Sequence, residues 1–214
     1  MSLPEYERIA RAAVRPRNAV PANLPAIEED QASGEVAALY AQFRGRFGRP
    51  DVPGILKCFA THPPLLRHMM DLSESLIFAD GHLHRREKEM IATFISVQNV
   101  CPYCADSHGF FFRVQGGSSE ALCAIQENRL LAASLSTREQ ALLAFVEKVN
   151  RNSPRICRED IEELLRAGFD QPQIAEAIHI ASLFSTFNRV ANAFGLQSQG
   201  LLDLAPQEPA RSDQ

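Results

Sequence analysis

Two cysteines two residues apart, Cys101 and Cys104, follow an acid, Glu89, and precede a histidine, His108. The acid stands twelve residues before the first sulfur and the histidine four residues after the second. An acid, a dithiol and a base are thus close enough to share proton and sulfur chemistry. Pro102, between the cysteines, suits a first helical turn, where its missing N–H would be unpaired in any case. Cys101 then falls near an N-cap and Cys104 in the first turn. A sulfur there faces unpaired backbone N–H groups and the positive end of the helix dipole. Both favour thiolate, so the cysteine pKa is expected to fall from about 8.5 toward neutrality. Spacings of three and four share one helix face, which puts Cys101, Cys104 and His108 on one stripe and lets His108 exchange a proton with Cys104.

The element before the dithiol must supply the acid. Residues 85–99 carry Met90, Ile91, Phe94, Ile95 and Val97 at helical spacing, facing a core. Glu89, Thr93 and Ser96 form a separate stripe whose small residues let a neighbouring helix approach, with Glu89 over the dithiol as a proton relay. The competing reading makes Glu87 and Glu89 first-turn acids placed by the helix dipole.

The run Glu89, twelve residues, Cys101-Pro-Tyr-Cys104, three residues, His108 resembles the signature of the alkylhydroperoxidase D-like family, which includes the carboxymuconolactone decarboxylases. The motif spans about twenty residues, and helical content compatible with the family core extends over roughly residues 50–195. The resemblance implies an all-α homo-oligomer in which Cys104 attacks a hydroperoxide, Cys101 resolves the product as a disulfide, and Glu89 and His108 relay protons. It implies a hydroperoxide substrate, an external dithiol reductant and no prosthetic group. The founding peroxidases are similar but have a histidine just before the second cysteine, where this chain has Tyr103. A phenol of pKa about 10 cannot do a histidine's work at neutral pH, so the relay is shortened. Decarboxylase members typically lack the cysteine pair, which argues against that activity.

The 214 residues fit one domain with terminal arms, and a hydrophobic share of 45% is enough for a sizeable core. A net charge of −4 gives no basic footprint for nucleic acid, and no stretch has the length and apolarity to span a membrane. The first residues, MSLPEYERIARAAVRPR, lack the apolar run of a secretory signal. Five cysteines without framework spacing point to a reducing cytoplasm, where any disulfide is transient.

Helix start and stop signals recur every 10–25 residues and no alternating run predicts a strand, so the expected fold is all-α. This excludes a thioredoxin βαβ setting for the CxxC, and Ala105 in place of histidine excludes haem attachment. The reading divides the chain into an arm (1–32), a helical domain (33–200) with an active-site core over 84–115, and a loose tail (201–214). Within the domain, Ser33 caps a helix with a Val36, Leu39, Tyr40 and Phe43 stripe, and Met69, Leu72 and Leu76 face the core from another. Thr137 and Gln140 fit a capping box. Phe110, Phe111 and Phe112 read as core or as a pocket wall. In the long helix 172–194, His179 reads as a core histidine, while Asn188 and Arg189 are polar groups in need of partners. Loop histidines His82 and His84 read as solvated. Two other readings of the central residues stay open: a metal site with Cys101, Cys104, His108 and Glu89 as ligands, and a non-catalytic, redox-sensing helical oligomer.

Overall fold

A computed structural model describes residues 22–79 and 81–205, and every regular element among them is helical, with no strand. The order is α1 (Gly34–Phe47), α2 (Gly54–Phe59), α3 (Pro63–Ser73) continued by a π-helical turn (Glu74–Phe78), α4 (Arg85–Gln98), α5 (Pro102–Val114), α6 (Ser119–Gln126), α7 (Thr137–Asn152), α8 (Arg158–Arg166), α9 (Gln171–Phe194) and a final 3₁₀ turn (Leu201–Leu204). Most of the expected arm, residues 1–21, and the end of the expected tail, 206–214, lie outside the described residues.

α4 is the central element. Every residue from Glu87 to Ser96 is buried, on all faces of the helix, so polar and apolar positions alike must be satisfied by protein. α5 folds back along it and α9 packs against both. The α1 stripe Val36, Leu39, Tyr40 and Phe43 is buried as expected. In α3 the stripe differs: Leu66, Met69 and Met70 are inside and Leu72 is exposed. Leu72 stands two residues beyond Met70, a spacing that turns it to the other face, and Ile77 of the π turn takes up the buried stripe.

The α4–α5 joint fixes the dithiol. The Val100 N–H bonds to the Val97 carbonyl at 3.0 Å and the Cys101 N–H to the Ser96 carbonyl at 2.9 Å, the paired bonds of a Schellman helix end. Such an end needs a left-handed residue, and Val100 supplies it at φ 50°, a strained setting for a β-branched side chain. The Asn192 amide clasps the loosened carbonyls of Asn99 and Val100, each at 3.2 Å. The residue that closes α4 is therefore also the N-cap of α5: Cys101.

The segment expected as a loose tail is held at its start. Asp106 of α5 is buried, and its carboxylate accepts the backbone N–H groups of Gln199, Leu201 and Leu202, each at 3.0 Å. Charge-assisted bonds of this kind are about twice as strong as neutral ones, and they lay the 3₁₀ turn across α5. Leu202 packs so closely on Gly109 that a Cβ there would lie 3.2 Å from both its methyl groups.

Candidate active site

The structure brings the four expected residues into one neighbourhood on α4 and α5. Cys101 is the N-cap of α5 and Cys104 lies in its first turn, both buried and both free thiols. Cys104, His108, Tyr103, Ser107 and Phe111 from α5 line a cavity of about 190 Å³. Cys101 does not. Aromatic side chains dominate the remaining wall: Phe43 and Phe47 from α1, Phe78 from the π turn, Phe184 and Phe187 from α9. Gln199 and Leu201 close one side, so the strap held by Asp106 is part of the cavity. Of the three successive phenylalanines only Phe111 lines it; Phe110 and Phe112 are core.

Glu89 is fully buried and meets the Arg85 guanidinium and the His108 imidazole. Its Oε2 lies 2.6 Å from His108 Nδ1, and its Oε1 accepts the Arg85 Nε–H at 2.7 Å together with a second guanidinium N–H. Burial alone pushes this carboxyl up, but the His108 and Arg85 charges and their hydrogen bonds outweigh it and hold it below the ordinary carboxylate range. An ionised acceptor fixes the imidazole: Nδ1 carries the proton, and Nε2 of the neutral ring is free to accept one. The ring stacks edge-on against Phe184, 4.5 Å between centroids. Arg85 lies over Phe78, 4.6 Å from its centroid. The sequence reading missed Arg85; the available signal was its place one helical turn before Glu89.

The two sulfurs are not equivalent. A hydrogen bond from the Cys104 thiol, reinforced by the backbone N–H groups of Cys104 and Tyr103 and by the Asn188 amide, outweighs burial and lowers Cys101 to about 7. Cys104, giving its hydrogen bond to Cys101 and buried beside it, is raised well above an ordinary thiol. The expected fall in pKa is thus confined to the N-cap sulfur, because only the N-cap faces the open N–H groups of the first turn. Charge rests on Cys101, whereas access to the cavity belongs to Cys104.

Tyr103 is buried on the cavity wall, and its hydroxyl accepts the Ile55 N–H at 3.4 Å. Burial raises its pKa above the usual phenol range, so it stays a neutral wall residue. Cys58 on α2 is core, raised to about 12 by burial and the Glu28 charge. His179, expected in the core, is exposed on α9, and Arg189 bonds back to the Ser185 carbonyl of its own helix at 2.6 Å. Asn188 is fully buried beside the dithiol. Among the described residues no group of three or more His, Cys, Asp or Glu side chains is arranged to hold a metal ion. Nor, among them, is any helix long and apolar enough to cross a membrane.

The profile of the Carboxymuconolactone decarboxylase family matches residues 63–148. An alkylhydroperoxidase AhpD core structure, an uncharacterized peroxidase-related protein from Ralstonia eutropha JMP134, is 26% identical. It superposes with a TM-score of 0.76 over 88% of this chain and 100% of that one. An uncharacterized peroxidase-related protein from Silicibacter sp. TM1040 is 28% identical, with a TM-score of 0.71 over 83% of this chain and 91% of that one. The fold is also shared with the debrominase Bmp8, at 18% identity and a TM-score of 0.65 over 88% and 99% of the two chains. No curated protein matches the sequence.

Proposed function

We propose, for a chain that belongs to the AhpD-like carboxymuconolactone decarboxylase family, the dithiol-dependent reduction of organic hydroperoxides. The observation that carries this reading is the pairing of Cys104 and His108 on the wall of an aromatic-lined cavity while Glu89 holds the imidazole from behind. A cavity of roughly 150 Å³ takes a benzene ring, so one of about 190 Å³ suits a single ring or a branched alkyl chain bearing a hydroperoxide. Hydrogen peroxide would leave most of that apolar surface uncovered, and forgoes about 25 cal/mol for each Å² of apolar burial.

His108 Nε2 takes the Cys104 thiol proton, and the Glu89 carboxylate stabilises the imidazolium through Nδ1–H. The Cys104 thiolate attacks the terminal peroxide oxygen; the S–O bond forms as the O–O bond breaks, and His108 returns the proton to the departing alkoxide. Two electrons have passed from sulfur to the peroxide, giving an alcohol and a Cys104 sulfenic acid. The Cys101 thiolate then attacks that sulfur, the S–S bond forms, and hydroxide leaves with a proton as water. A dithiol from outside returns the disulfide to two thiols by exchange.

Intact mass with cysteine mapping tests this. One equivalent of cumene hydroperoxide should remove two hydrogen atoms and link Cys101 to Cys104, faster than hydrogen peroxide does, with no disulfide in Cys104→Ser. A pair that stays reduced with both oxidants refutes the reading. Tribromopyrrole run in parallel addresses the fold shared with the debrominase, and bromide release without peroxide turnover would replace peroxide as the oxidant.

A further inference from the structure

Asn188 sits at the contact of α9 with the dithiol and is 0% exposed. Its orientation is forced by its neighbours. The Ser96 hydroxyl gives its one proton to the Ala92 carbonyl at 2.7 Å, so it can meet Asn188 only as an acceptor. Asn188 Nδ2 therefore faces Ser96, at 2.9 Å, and Asn188 Oδ1 faces Asn99 Nδ2, at 3.1 Å. Asn99 is itself locked by a reciprocal amide pair with Asn150, at 3.2 and 2.9 Å, and the Ser185 hydroxyl fixes Asn150 at 2.7 Å. Ser96 also holds the backbone of the N-cap, through the Cys101 N–H at 2.9 Å. Asn188 keeps one N–H after Ser96 is served, and its amide favours the thiolate of each of the two sulfurs.

We infer that Asn188 is a further catalytic residue: its amide N–H holds the sulfur charge of the Cys101–Cys104 pair from outside the cavity. The inference rests on the reading of this pair as the reacting centre, but not on peroxide as its substrate. A buried amide must be satisfied, and a charged sulfur is a much stronger acceptor for its remaining N–H than a thiol or a disulfide sulfur. Oxidation to the disulfide removes that charge, so Asn188 favours the reduced protein and eases return of the disulfide by an outside dithiol. A hydrogen bond to a charged group corresponds to roughly one to two powers of ten in such an equilibrium.

The other titratable groups facing the pair are Cys58 of α2 and Tyr103 and His108 of α5. Cys58 and Tyr103 hold their protons through the neutral range, and a His108→Asn background removes the third. In that background the iodoacetamide alkylation rate of the reduced protein, mapped by mass, is followed against pH for Asn188, Asn188→Leu, Asn188→Asp and Asn99→Ala. The dithiol–disulfide equilibrium with glutathione is measured for each. The alkylation midpoint should rise by about one pH unit in Asn188→Leu and further in Asn188→Asp, which exchanges the donor for a second negative charge. It should rise less in Asn99→Ala, which only loosens the amide. In Asn188→Leu the glutathione equilibrium should move about tenfold toward disulfide. A folded Asn188→Leu with an unmoved midpoint and equilibrium overturns the assignment. Should the Asn188 variants fail to fold, the side-chain amide proton resonances of Asn188 in the unaltered protein decide it. They must move with the thiol titration, and constancy through it overturns the assignment equally. No peroxide enters either measurement, so a wrong substrate and a wrong Asn188 give different failures.

Discussion

Glu89→Gln separates the role of charge from that of shape at the centre of this site. In the native arrangement Arg85 donates to Oε1 and His108 presents Nδ1 to Oε2 at 2.6 Å. A glutamine fits the same space but has only one oxygen. Arg85 has donors alone, so the amide oxygen stays toward Arg85 and the NH₂ group turns toward His108. Nδ1 must then accept, the ring proton moves to Nε2, and the nitrogen facing the cavity can no longer take the Cys104 proton. Loss of a positioned base typically costs about 10²–10⁴ in rate, and oxidation of Cys104 by cumene hydroperoxide at pH 7 should slow by that factor. Stability also falls. Removing one partner of a buried pair costs about 3–5 kcal/mol; Arg85 keeps partial exposure and its contact with Phe78, which places the loss near 3 kcal/mol. For a chain of this size that is roughly 6–12 °C in Tm. Stopped-flow oxidation read by mass gives the rate, and calorimetry the Tm. The rate deficit should shrink as pH rises and Cys104 ionises unaided. A folded Glu89→Gln oxidised at the native rate at pH 7 would refute the tautomer argument, and a deficit constant to high pH would refute the role of His108 as base.

Other expectations follow from the same geometry. Cys104→Ala removes the leading cause of the low Cys101 pKa, so the Cys101 titration midpoint, read by ultraviolet thiolate absorbance, should rise from about 7 toward the ordinary thiol value; a midpoint that stays put would mean the helix N-terminus suffices. Val100→Gly should stabilise the protein by about 0.5–1 kcal/mol, since a left-handed L-residue costs about 1–2 kcal/mol and glycine gives back about 0.5–1 in chain entropy. The Val100 side chain is 79% exposed and loses little packing, and urea denaturation reads the difference. Gly109→Ala pushes a methyl against Leu202, and the overpacking cost of about 1–3 kcal/mol is offset by about 1 kcal/mol of helix propensity, so global stability should change little while proteolysis within residues 197–205 becomes faster. The dithiol also sets a pH dependence. A depressed Cys101 adds stability that is complete above the unfolded thiol pKa of about 8.5 and is lost as pH falls through about 7. A raised Cys104 acts oppositely, its stability being lost as pH climbs beyond about 8.5. Denaturation of the reduced protein should therefore show a maximum near pH 8–8.5 that Cys101→Ser flattens below and Cys104→Ser flattens above.

Local spacing carried the helices and the α4–α5 pair because those depend on near neighbours: Pro102 at N1, apolar residues at three and four, glycine at a helix end. Boundaries blurred where two signals competed. Thr137 and Gln140 resemble a capping box, yet the cap is Ser136, whose hydroxyl accepts the Glu139 N–H at 3.3 Å while Glu139 returns the bond at 2.8 Å. One residue earlier, a serine with glutamate three on outcompetes threonine with glutamine. The strap was illegible for a different reason. LLDLAPQEP reads as polar and proline-bearing, and its anchor, Asp106, lies ninety-odd residues away in sequence on another element. Arg85 was legible by its spacing to Glu89, whereas the Asn99–Asn150–Asn188 chain joins three helices and has no local signature.

The unequal sulfurs depend on both kinds of information. Sequence places both cysteines in a first helical turn, and from that alone both should acidify. The fold then makes one of them the N-cap, collecting the N–H groups of Tyr103 and Cys104, and turns the other toward the cavity as the donor. One proton is thereby shared with a fixed direction. On the proposed mechanism the sulfur that an oxidant can reach is the protonated one, and it becomes a nucleophile only when His108, held by Glu89, accepts its proton. The charged sulfur meanwhile waits out of the cavity, already deprotonated for the step in which a sulfenic acid must be captured. Reversing the polarity of the pair would expose a standing thiolate to every small oxidant entering the cavity and leave a protonated thiol to close the disulfide. If that ordering matters, an outside electrophile too large for the interior should modify neither sulfur. A small one such as iodoacetamide should label Cys104, and more slowly in His108→Asn, and mass mapping after brief exposure distinguishes this from labelling that simply follows the Cys101 charge.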